Sequence, residues 1–163
     1  MILFIGQAYP KTFKDYEFQG TNFYRWFDRV GLSTDFIRAH SHITAILTTY
    51  SGVNSKGAGD RLPTPIEVQE NLPRLMNLIQ NLQPRAIVPI GKFSIETIFG
   101  IQNINLENYI GHSFEIQPYQ QLNQLQNIIP LPHPSGLSRW TYQKNHKELL
   151  NQALELVKES FAQ

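Results

Sequence analysis

The chain has 163 residues, a formal net charge of +1, and 41% hydrophobic against 17% charged residues. That fits one soluble globular domain, residues 1–163, and leaves no room for two ordinary ones. The absence of cysteine excludes disulfides, zinc–thiolate sites and iron–sulfur clusters, and no apolar run reaches the roughly 18 residues needed to span a bilayer.

Residues 1–6 are apolar and stop at Gly6, as a buried parallel strand does when it feeds a loop. They read as a strand, not a leader, because a basic start and a small-residue cleavage site are missing. Residues 7–20 form a long loop rich in Gly, Pro and aromatics. Thr21 or Asn22 caps a helix to about Val30, with Phe23, Trp26 and Phe27 on its core face, and Gly31 ends it. Residues 43–49 read as a second strand. His40 and His42 flank Ser41 just before it, and on a strand they would share one face.

Residues 51–63 are a Gly/Ser/Asn loop carrying Lys56, Asp60 and Arg61. Thr64, Pro65 and Glu67 make a capping-box start for a long helix with Leu72, Leu75, Met76, Ile79 and Leu82 on its apolar face. Pro84 introduces a third strand, residues 86–90, ended by Gly91, and a short helix over 92–99 closes at Gly100. Residues 109–117 look extended, and 119–127 look like an exposed polar loop. Residues 127–131 make a fourth strand, 132–140 a loop, and 142–161 an amphipathic final helix. His112 and His146 read as surface residues.

Strands alternating with helices predict an α/β fold: a three-layer α/β/α sandwich around a central four-stranded parallel sheet. Ligands of such sheets sit beyond the carboxyl ends of the strands. The loops 7–20, 50–63 and 132–140 leave those ends.

His133-Pro134-Ser135-Gly136-Leu137-Ser138-Arg139-Trp140 is the most informative segment. Flanking prolines limit loop freedom and so place the imidazole. Ser135 and Gly136 can offer a hydroxyl and backbone N–H groups to a phosphate, and Arg139 a guanidinium fork. Leu137 is an apolar residue at a loop tip, suited to wedge into a base stack. Lys56, Arg61, Arg139 and Lys144 can supply a basic rim, although alone they read as solvated surface. No dinucleotide fingerprint and no Gly-x-Ser-x-Gly elbow is present.

This segment resembles the second signature of the uracil-DNA glycosylase superfamily. Gly6-Gln7-Ala8-Tyr9-Pro10 resembles its first signature, and Phe18-Gln19-Gly20 the segment whose aromatic stacks on a flipped base. Residues 59–65 and 82–91 are similar to the family-4-like branch, without its cluster cysteines. The resemblance implies a uracil-DNA glycosylase-like fold and a DNA glycosylase that excises uracil or a related deaminated base. It implies catalytic roles for His133, Gln7 and Asp15, and base binding by Gly6, Ala8, Tyr9, Phe18 and Thr48. Lys56, Arg61, Ser135, Gly136, Leu137 and Arg139 are the implied DNA contacts.

The implied partner is DNA carrying a flipped base, with no cofactor, metal or membrane. A monomer and a cytoplasmic location are the accompanying expectations. Gln7 and Ala8 stand where many relatives carry the residue that orients water, and Ala45 where an Asn reads the pyrimidine edge. Two other classes stay open: a nucleic-acid-binding relative without activity, and a small-molecule base or nucleotide binder on the same fold.

Overall fold

The computed structural model describes residues 1–12, 14–136 and 138–162. In chain order these form β1 (Ile2–Ala8), α1 (Phe23–Arg29), α2 (Thr34–His40), β2 (Ser41–Leu47), α3 (Pro65–Leu82), β3 (Ala86–Pro89), α4 (Lys92–Phe99), β4 (Phe114–Ile116), β5 (Gln126–Ile128) and α5 (Lys144–Ala162). Short 3₁₀ turns cover Leu106–Asn108 and Arg139–Tyr142.

The strands make one five-stranded sheet in the order β2-β1-β3-β5-β4. β1 pairs in parallel with β2 and β3, and β3 with β5, while β4 runs antiparallel to β5. The expected four parallel strands are therefore present, with a fifth, antiparallel strand on one edge. It comes from the stretch read only as extended, and its three residues owe their conformation to pairing with β5.

Both faces of the sheet are buried. Alternation along β1 sends Ile2 and Phe4 into one core and Leu3 and Ile5 into the other. The first core takes residues of α1, α2 and α5, among them Phe23, Phe27, Ile37, Leu150 and Val157. The second takes Leu75 and Ile79 of α3 and Ile98 of α4. Phe4, Phe23 and Phe27 meet edge to face at 5.1–5.6 Å between centroids. Each such pair adds about 0.5–1.5 kcal/mol beyond its buried area, which fixes α1 on β1.

α3 starts as its capping box predicts. Thr64 Oγ1 accepts from the Glu67 N–H, and the Glu67 carboxylate accepts from the Thr64 N–H. From this helix Arg74 donates to the carbonyls of Ala45 and Ile46 and to the Thr44 hydroxyl, covering the end of the edge strand β2.

Helix α2 corrects the reading of His40 and His42 as strand neighbours. Ser33 caps it by accepting the Phe36 N–H. His40 ends it, stacked on Phe36 and donating from Nδ1 to the Phe36 carbonyl at 2.9 Å. The two histidines thus lie on different elements.

Candidate active site

β1 and β3 lie side by side, and their carboxyl ends are joined by the Ile90 N–H donating to Ile5 O at 2.9 Å. Each end carries a glycine with an unsaturated ring against it. A Cβ added to Gly6 would stand 3.6 Å from Phe18 Cζ. A Cβ added to Gly91 would stand 3.4 Å from His133 Cδ2, and Gly91 is left-handed at φ 84°. Both distances are ordinary van der Waals contacts, and at Gly91 it is the left-handed backbone that calls for glycine.

Phe18 is held there against a conformational cost. Its φ is +58°, a region that costs a non-glycine residue roughly 1–2 kcal/mol. Thr21 offsets this by donating its N–H and its hydroxyl to Phe18 O, at 3.1 and 2.7 Å. The ring stacks on Phe23 at 4.7 Å and 21°, so the core aromatics of α1 continue outward into the loop.

His133 follows β5 between Pro132 and Pro134, both buried. The Asn22 N–H donates to Pro134 O at 3.0 Å, tying this loop to the segment that starts α1. The ring is exposed on one side, yet the protein mass around it lowers its pKa below the ordinary 6.5, with Asp60 pulling the other way. The Ser135 N–H donates to His133 Nδ1 at 3.2 Å. Nδ1 therefore keeps its lone pair, and in the neutral ring the proton sits on Nε2. The arrangement presents an uncharged N–H donor.

The 50–63 loop reaches the same rim from the side of β2. Gln7 Nε2 donates to Arg61 O at 3.3 Å, and Ser51 Oγ donates to the same carbonyl at 2.8 Å. Val53 and Asp60 bridge antiparallel, and burial, with the Asp60 carboxylate beside it, raises the Tyr50 phenol above its usual range. Arg61 turns its guanidinium to Glu67, at 2.6 and 2.8 Å. This pairing, with the Thr64 N–H, holds the Glu67 carboxyl at about 2, well below the usual 4.5. The fork read as a phosphate contact is thus engaged within the protein.

Other sequence-read residues occupy separate parts of this end of the molecule. Ala8 pairs with Leu47, the Tyr9 N–H donates to Leu47 O at 3.1 Å, and Thr48 is half-buried just past β2. Asp15 is exposed, and its carboxylate accepts from Gln19 Nε2 at 3.3 Å. Lys56 and Arg139 are exposed, Ser135 is half-buried, and Gly136 O accepts from the Tyr142 hydroxyl at 3.1 Å. Leu137 lies outside the described residues.

His146 corrects the surface reading, for it is only 3% exposed. Its ring stacks on Trp140 at 4.0 Å, Nδ1 donates to Trp140 O at 2.7 Å, and Nε2 meets Glu107 Oε1 at 2.5 Å. It fastens the 3₁₀ turn that follows the His133 loop. Asp60, Tyr50 and Gly91 were also missed as rim residues. The loop around Asp60 was visible, but its electrostatic effect on His133 links residues far apart in sequence.

A polar cleft of about 490 Å³, lined by Gln83, Arg85, Ser113, Glu115 and Gln126 among others, opens at the amino ends of β3 and β5. It is at the opposite end of the sheet from His133 and Phe18, so its size does not make it the active-site candidate. Among the described residues no group of three or more His, Asp or Glu side chains is placed to hold a metal, and no helix is long and apolar enough to cross a membrane.

Residues 2–155 match the family model of the uracil DNA glycosylase superfamily. No curated protein matches the chain.

Proposed function

The chain belongs to the uracil DNA glycosylase superfamily, and from that premise we propose that it is a monofunctional DNA glycosylase hydrolysing the bond between uracil, or a related deaminated base, and deoxyribose. The observation that carries the reading is the neutral, Nε2-protonated His133 beside Gly91, on the strand next to the one where Phe18 covers Gly6. A base taken out of the stack needs an aromatic face and edge-directed hydrogen bonds, and it pays unstacking energy to reach them.

In the proposed reaction Phe18 stacks on the extruded base and the 6–10 loop lines its surroundings. Water adds its oxygen to C1′ as the glycosidic bond breaks. The bonding pair leaves with the base and spreads onto O2, where His133 Nε2–H meets it. A donor that strengthens as charge develops lowers the barrier rather than merely binding substrate. The water proton passes to solvent, and the released base takes one back. Gln7, whose amide nitrogen is committed to Arg61 O, has its amide oxygen as an acceptor for that water. Lys56, Ser135, Gly136 and Arg139 contact phosphates, and Leu137 fills the vacated stack.

The reading is tested by incubating the protein with a uracil-containing oligonucleotide and heating in alkali. Strand scission that disappears in His133→Ala supports it. Salt-dependent binding without scission from the wild type would replace it with the non-catalytic relative. One observation favours that alternative: the Asp15 carboxylate read from the sequence is an exposed group clasped by Gln19.

A further inference from the structure

We propose that the polar cleft at the amino ends of β3 and β5 binds an adenine mononucleotide, with Gln126 reading the base edge and Arg85 holding the phosphate. The cleft lies at the opposite end of the sheet from His133, so this site and the glycosylase reading stand or fall separately.

Gln126 carries the argument. It is only 9% exposed and lines the cleft, yet its carboxamide makes no hydrogen bond among the described residues. Its backbone is committed to the sheet, where it pairs with Ile116. Buried amides are ordinarily partnered, because leaving water without a replacement bond is unfavourable. An unpartnered amide facing a cleft is ready for a guest that carries a donor beside an acceptor. Glutamine meets that pattern on adenine, giving one hydrogen bond to N7 and taking one from the N6 amino group.

The sheet arranges charge on either side of this amide. The register that pairs Ile87 with Ile128 sets Arg85 level with Gln126 on the neighbouring strand. On the other side, β4 places Glu115 opposite Asn127, one step from Gln126. Neighbouring strands lie about 4.8 Å apart, so β3 and β4 stand about 10 Å apart with Gln126 between them. Arg85 is exposed and gives one N–H to Phe161 O at 3.3 Å, which leaves the rest of its guanidinium fork for an anion. Among the described residues neither Arg85 nor Glu115 forms an ion pair.

That order, cation, amide, carboxylate, matches the order of groups on the ligand. The phosphate meets Arg85, and the N7 and N6 edge meets Gln126. The second hydrogen of N6 is left to donate to Glu115. A carboxylate there repels a base carrying a carbonyl in place of the amino group, and a lone cation suits one phosphate better than three. Leu125, 65% exposed at the cleft, offers apolar surface to the face of the base. The volume of about 490 Å³ falls within the range of small-molecule sites, roughly 300–1,000 Å³.

The test titrates the full chain with adenosine monophosphate, followed by calorimetry and by amide NMR shifts. Saturable shifts should appear at residues 113–116 and 124–127. Gln126→Met and Arg85→Gln should each weaken binding by about tenfold. Inosine monophosphate and inorganic phosphate should bind the wild type more weakly by a similar factor, and the triphosphate no more tightly. The melting temperature of Gln126→Met should not fall, since an apolar side chain of similar shape replaces an unpaired amide. Absence of saturable shifts, or shifts around His133 in place of the cleft, would overturn the proposal. So would inorganic phosphate binding as well as the nucleotide, or a Gln126→Met variant that melts well below the wild type, because the amide would then serve the fold.

Discussion

Two histidines of the same carboxyl-terminal stretch have opposite surroundings. His133 is exposed, packs beside Gly91, and has Nδ1 held by a backbone N–H so that Nε2 carries the ring proton. His146 is buried, stacked on Trp140, with both nitrogens placed on protein oxygens. The first has a donor to offer a visitor, and the second has used its hydrogen-bonding capacity within the fold. The difference lies in the contacts rather than in the residue type.

Mutation can break that contrast. His133→Ala should lower excision by roughly 10²- to 10³-fold while the melting temperature hardly changes; a variant that excises normally would leave His133 without its role. His146→Ala should do the reverse, costing roughly 2–3 kcal/mol of stability in a denaturant titration. An unchanged midpoint would show that the buried stack contributes nothing.

Smaller effects sharpen the picture around these two. Phe18→Ala should weaken base capture by about 1–3 kcal/mol, read as slower single-turnover excision at limiting protein; an unaffected rate would move the base elsewhere. The pH profile follows from the lowered His133 pKa. The ring stays neutral at pH 7, and excision should fall on the acid side only below the ordinary histidine value. A profile that fell between pH 7 and 8 would contradict a neutral donor.

The last effect is confined to stability. Glu67 titrates at about 2 in the fold against 4.5 ordinarily. A depressed carboxyl stabilises the fold above its unfolded pKa and loses that contribution as pH falls toward its folded one. Glu67→Gln should therefore differ most from the wild type near neutrality and converge with it toward pH 2. Because the pair is half-buried and still open to solvent, added salt should shrink the difference.

What was legible in the sequence was what neighbouring residues decide. The Thr64–Glu67 capping box, the glycines that bound α4, and the apolar alternation of β1 and β3 are local signals, and the fold carries each of them. β4 and α2 were not legible. β4 depends on its partner strand, and α2 has seven residues and buries only Ile37. His133, Phe18 and Gln7 were marked by their signatures. His146 was not, because the carboxylate that defines it, Glu107, is reached across the chain.

The backbone bond from Asn22 to Pro134 has a mechanical meaning. It yokes the loop that bears the stacking ring to the loop that bears the imidazole, although the two are synthesised at opposite ends of the polypeptide. Displacing either loop would strain the other, so the ring and the imidazole hold their relative placement as one mechanical unit.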